Sequence, residues 1–231
     1  FWLTKNKPPK SNSKNIPLKS SINLTSTISI SRKGVMRDSI FWLVIIWLTV
    51  VPAFTVTGLF FHQIHISELK EISLFTWSSN YLYYAIAAIV GAFLSGYLVD
   101  KFGAHIIASL TQLPMFIACF FLWFGNSNIL LILFFVLFGL GSGMLQPMIN
   151  SLLAERYGTK WLGEIKSLAM PINVVSSALS PILMGFMIDG GATLGQLMSL
   201  LIFFSFFSFA VSFMIFNLFG MIKPSKKCIV D

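Results

Sequence analysis

Charge is what this sequence has least of. Only 10% of its 231 residues are Asp, Glu, Lys or Arg, against about 25% in a soluble globular domain, and that shortage excludes an ordinary water-soluble fold. Acidic residues are scarcest, with eight in the whole chain and none before Asp38. Cysteine is nearly absent: Cys119 lies inside an apolar run and Cys228 in the C-terminal tail, so no structural disulfide is expected. Alternation of apolar and polar residues is also missing, which argues against strands. His62-x-x-His65 has no third partner at ligand spacing, so no metal site is expected, and no cofactor motif is present.

What remains is apolar. Hydrophobic residues make up 56% of the chain and include 24 Phe, a composition suited to a lipid-facing surface. Six apolar runs, at about 41–62, 80–99, 104–124, 129–153, 165–188 and 196–220, are each long enough to cross a hydrocarbon core of roughly 30 Å as a helix. The breaks between them carry turn residues, as in Lys101-Phe102-Gly103, Gly125-Asn126-Ser127-Asn128 and Asp189-Gly190-Gly191. The expected fold is therefore an all-α membrane protein, a six-transmembrane-helix bundle over residues 38–222.

Ahead of the bundle, residues 4–37 are polar, with eight Lys and Arg and no acid. They read as a basic, flexible cytoplasmic linker drawn to anionic lipid; a nucleic-acid site would interleave aromatics, and none are present. Phe1-Trp2-Leu3 reads as the end of an upstream membrane helix, and residues 223–231 as a cytoplasmic tail. If the linker is inside, fifteen of the sixteen Lys and Arg fall on the inner side and only Lys70 outside. The positive-inside rule then places both ends of this segment in the cytoplasm.

The stretch joining the second and third runs is Gly96-Tyr97-Leu98-Val99-Asp100-Lys101-Phe102-Gly103. Gly96 permits close helix contact, and Gly103 allows the chain to reverse. Asp100 is suited to accept hydrogen bonds from the N-terminal amides of a neighbouring helix, which would lock one conformation. A solvated loop charge is the plainer reading, and the residues alone leave both open.

This turn resembles the G-x-L-x-D-R/K-x-G-R-R pattern of the major facilitator superfamily. Gly96, Leu98, Asp100, Lys101 and Gly103 match, while Ala104 and His105 stand where that family carries a basic pair, a departure more typical of its second copy. Thr57 to Gln63 is similar to the outer end of the family's seventh helix. Gly139-Leu140-Gly141-Ser142-Gly143, with Pro147 and Glu155-Arg156-Tyr157-Gly158, resembles the tenth helix and its exit, and Ser180-Pro181 to Gly185 resembles the eleventh. The resemblance implies helices seven to twelve of a twelve-helix transporter in a bacterial plasma membrane. It implies a bundle of two inverted three-helix repeats, an N-terminal six-helix half as partner, a small-molecule substrate and alternating access. Gly96-x-x-x-Asp100 and Gly185-x-x-x-Asp189, at opposite ends of corresponding helices, fit such a repeat.

In that fold the first, second, fourth and fifth helices of this half line a cavity, and polar residues on them are the candidate site. Gln146 and Asn150 continue a face begun by Gly139 and Gly143; they either bind substrate or belong to a packing face. Thr55, Gly58 and His62 share a face of the first helix, and His62 is either a proton-coupling group or an interfacial histidine. Asn173 and Ser177 share a face of the fifth, and the Phe-rich sixth helix flanks. No Asp, Glu, Lys or Arg lies near the middle of any run, so no ion-relay carboxylate is expected here. An intramembrane serine protease is disfavoured, because Leu140 precedes Gly141-Ser142-Gly143 and residues 196–220 hold no histidine. An ATP-driven permease lacks a coupling segment. A sensor or scaffold derived from a transporter remains open; it would show no flux and no dependence on Gln146 or Asn150.

Overall fold

The computed structural model describes residues 29–125 and 127–218. The expected upstream helix end, residues 4–28 of the linker and the tail from 223 lie outside them. Six helices are long and apolar enough to cross a membrane: α1 (Phe41–Phe61), α2 (Leu74–Phe102), α3 (Ala104–Phe124), α4 (Asn128–Tyr157), α5 (Leu162–Asp189) and α6 (Leu194–Phe216). No strand occurs among the described residues.

The ends follow from local chemistry. Gly103 and Gly158 stop α2 and α4 with φ of +87° and +81°, a backbone that side-chain-bearing residues rarely adopt. Ser127 caps α4 by accepting from Leu130 N–H, and Thr193 and Gln196 form a capping box at the start of α6. α2 begins earlier than its apolar run, because Ser73 caps a first turn and a half that bends at Asn80 into the main helix.

The packed region also begins earlier than expected. Residues 29–37, read above as the end of a flexible linker, include a short helix, Arg32–Met36, with Ile30 and Val35 buried in the core. Ile30 N–H donates to the Tyr157 carbonyl at 2.9 Å, serving one of the free carbonyls that end α4. Two apolar residues among polar ones suffice to dock the segment, a spacing too sparse to show as periodicity.

Lipid gives helices no hydrophobic reason to associate, so close approach and interhelical hydrogen bonds must hold them. α2 lies against α4 through glycine: a Cβ at Gly139 or Gly143 would overlap the carbonyl oxygens of Tyr84 and Ala88, and one at Gly91 would overlap that of Leu140. Ser95 Oγ donates to the Met144 carbonyl at 2.9 Å across the same seam. α1 lies along α5, where Ser176 Oγ donates to Val50 (2.9 Å) and Ser180 Oγ to Phe54 (2.5 Å). Pro52 in α1 has no N–H to give the Leu48 carbonyl; Gln112 Nε2 of α3 donates to that carbonyl instead, at 3.2 Å. α2 and α5 bury the fewest of their residues.

Gly143→Ala tests the seam. In an open helix the change stabilises by about 0.5–1 kcal/mol, but here the added methyl meets backbone, and overpacking costs about 1–3 kcal/mol. A lowered melting temperature is expected in detergent. Gly163→Ala, at a helical site with nothing within 4 Å of the new Cβ, should leave it unchanged or raise it.

Candidate substrate cavity

One end of the bundle gathers the α2–α3 turn with Lys101, the α4–α5 turn with Arg156 and Lys160, and the start of α1; it is called the basic end. In its half of the bundle lies a cavity of about 280 Å³ whose polar lining is Thr49 of α1, Gln146 and Asn150 of α4, and Lys166 and Asn173 of α5. Ile149, Leu153 and Met170 supply apolar wall.

Helical spacing builds it. The α4 face that begins with Gly139 and Gly143 is consumed by contact with α2 and then opens, so the amides one and two turns further on face the cavity. Lys166 and Asn173 stand two turns apart on one face of α5. Gln146 is exposed, while Asn150, Lys166 and Asn173 are half-buried. Asn173 Oδ1 is itself buried and has no hydrogen-bond partner. Thr49 spends its proton on the Ile46 carbonyl at 2.8 Å, which leaves its oxygen as an acceptor.

Three of the six candidate residues, Gln146, Asn150 and Asn173, come together here. The other three do not line the cavity. Ser177 Oγ returns to its own helix, donating to Val174 at 2.8 Å. Thr55 is fully buried with its hydroxyl unpartnered. His62 ends α1 with Nε2 3.0 Å from the Pro181 carbonyl, stapling α1 to α5 at the end away from the basic turns. Thr49 and Lys166 were not singled out from sequence; a lysine one turn into a helix reads there as an orientation marker.

At the α2–α3 turn, Asp100 follows the plainer of its two readings within this bundle. Asp100 is exposed and makes no hydrogen bond among the described residues. Lys101 lies over the Tyr97 and Phe102 rings, 6.0 and 5.2 Å from their centroids. A Cβ at Gly96 would meet nothing within 4 Å, so no close helix contact forms there within this bundle. The carboxylate at the N-terminus of α3 is Glu155 of α4, whose Oε2 accepts from Ala104 N–H at 2.8 Å while Oε1 lies 2.6 Å from His105 Nδ1.

A second carboxylate ties α1 to α4. Asp38 Oδ2 accepts from Arg156 Nε and Nη2 at 2.9 and 2.7 Å and from the Tyr157 hydroxyl at 2.7 Å, while Oδ1 accepts from Ile40 N–H at 3.1 Å, at the start of α1. Asp38 and Arg156 are both nearly inaccessible. At the opposite end, Lys70 Nζ donates to the carbonyls of Trp123 and Gly125, which finish α3. Burial lowers its pKa from the usual lysine value.

The family model described as Major Facilitator Superfamily matches residues 1–181 and 43–226. No curated protein matches the sequence.

The Asp38–Arg156 pair makes a direct prediction. Breaking a buried pair by removing one partner costs about 3–5 kcal/mol, because the other charge is stranded. Asp38→Asn should therefore lower the melting temperature sharply, and Asp38→Asn with Arg156→Met should be less destabilised than the sum of the two single variants. Additive losses would mean that the two groups do not interact.

Proposed function

This chain belongs to the major facilitator superfamily of transporters, and we propose that it is the C-terminal six-helix half of a secondary transporter that moves a small solute by alternating access. The observation that carries the reading is the polar cavity between α1, α4 and α5, in a bundle whose spans are mostly apolar. Polar groups are costly at membrane depth unless they face water, a ligand or one another. A cavity of this size, with several convergent amides and apolar wall, is a binding site for a small molecule.

The proposed partner is the N-terminal half. α2 and α5 bury the fewest of their residues within this bundle and are the surfaces that a second bundle would cover. The two bundles then rock about a site between them, exposing it to each side in turn. The distribution of Lys and Arg puts the basic end in the cytoplasm, so on this reading the cavity lies in the cytoplasmic half of the bundle. Asp100, unpartnered in its own bundle, is the group available to latch one state against the N-terminal half. No described span carries a carboxylate near its middle, so proton coupling through this half would fall to His62, whose ring bonds α1 to α5.

Accessibility tests the mechanism without knowledge of the substrate. Single cysteines at positions 150 and 173, with Cys119 replaced by Ala and Cys228 by Ser, are treated with membrane-impermeant thiol reagent on either face of oriented vesicles. Labelling from both sides is expected, faster from the cytoplasmic one. Labelling from one side only, under every condition, would favour a sensor or scaffold that does not alternate. Asn150→Ala should also reduce flux about tenfold, the value of one hydrogen bond of ~1–1.5 kcal/mol, with an unchanged melting temperature.

A further inference from the structure

The cavity contains one charged group. Lys166 lines it, no carboxylate does, and among the described residues Lys166 makes no hydrogen bond or ion pair. The acids of the same end do not serve it: Asp38 holds Arg156 and Tyr157, Glu155 holds the start of α3, and Asp100 and Glu164 are exposed. An ammonium that lines a cavity with no acid to pair with it is open to an anionic ligand, which it would hold by a charge-assisted hydrogen bond. A single cation balances a single negative charge; a dianion would leave one charge unpaired on this wall.

The other groups narrow the chemistry. Gln146 and Asn150, one turn apart on α4, provide amide N–H donors that supplement a point charge with direction, as carboxylate recognition requires. Asn173 lines the cavity with an Oδ1 that has no donor and is closed to solvent in this conformation, so a turn of its side chain is needed to present that acceptor to a ligand, and the Thr49 oxygen is also left as an acceptor. An unpaired buried acceptor is satisfied by an O–H donor on the ligand. Ile149, Leu153 and Met170 suit a short hydrocarbon part.

We infer that the cavity binds a small organic monocarboxylate that also carries a hydroxyl group, with Lys166 as its charge anchor and Asn173 as the acceptor for the hydroxyl. This rests on the cavity being the transport site, and it adds the class of substrate. It also gives Lys166 a role beyond membrane orientation.

The test is binding to the purified full-length protein, read as thermal stabilisation across ligand concentration. The probes are hydroxybutyrate, butyrate, which lacks the hydroxyl, hydroxybutyramide, which lacks the charge, and chloride as an inorganic monoanion. Hydroxybutyrate should bind most tightly and hydroxybutyramide and chloride not at all. Lys166→Met should weaken hydroxybutyrate roughly tenfold to a hundredfold, the value of a charge-assisted hydrogen bond, and Lys166→Arg should restore part of the loss. Both variants should melt at the wild-type temperature without ligand, because Lys166 holds no partner in the fold. Asn173→Leu should abolish the preference for hydroxybutyrate over butyrate. The proposal is overturned if no carboxylate binds, if the amide or chloride binds as well as the acid, or if Lys166→Met leaves affinity unchanged. Flux in proteoliposomes separates this from the transport reading. Hydroxybutyrate bound but never carried would sink transport and leave the anion site, whereas flux of neutral or cationic solutes alone would do the reverse.

Discussion

Hydrocarbon offers no hydrogen bonds, and the arrangement of this bundle follows from that constraint. Every polar group at membrane depth must find its partner inside the protein or face water. The helices satisfy their own backbones, and the side chains that cross between them address backbone carbonyls. Gln112 serves Leu48, which Pro52 leaves unpaired; Ser95 serves Met144; Ser176 and Ser180 serve Val50 and Phe54; and His62 lies at the carbonyl of Pro181. With the glycine contacts between α2 and α4, these bonds hold the helices against one another.

The same constraint gives meaning to the exceptions. At the basic end two carboxylates are fully engaged: Asp38 gathers Arg156 and Tyr157, and Glu155 holds the first amide of α3. A few residues away, Lys166 and the Asn173 oxygen have no hydrogen-bond partner among the described residues. The contrast between saturated polar groups and unsaturated ones, within one half of one bundle, is what the proposed binding role rests on. Thr55, buried and unpaired but away from the cavity, shows that an orphaned hydroxyl alone does not mark a site; a hydroxyl is far cheaper to leave unpaired than a charge.

Much of this was legible in the sequence. The six spans appear within a few residues of the apolar runs, because helix length and hydropathy are local properties. Helical spacing puts Gln146 and Asn150 on one face of α4 and gives Asn173 its face of α5, since a face is set by residue interval alone; the three line one cavity. What spacing does not reveal is which neighbour a face meets. The Gly139–Asn150 face meets α2 along one stretch and a cavity along the next, and His62 meets α5 rather than the pathway. The Asp38–Arg156 pair joins residues 118 positions apart, and no local pattern announces it. Asp100 and Glu155 differ for the same reason: both suit a helix N-terminus, and only tertiary packing decides which one reaches it. Lys166 was overlooked because basic residues at helix ends are explained by orientation, and that explanation leaves no remainder to investigate.

The central claim is that the wall formed by Gln146, Asn150, Lys166 and Asn173 faces a water-filled pathway between two bundles. An electron cryomicroscopy structure of the full-length protein in a lipid nanodisc measures this directly. The account predicts that those four side chains border hydrated space, with a second six-helix bundle packed across α2 and α5. A map in which that wall is covered by lipid acyl chains, or closed by helices with no solvent path to it, would contradict it.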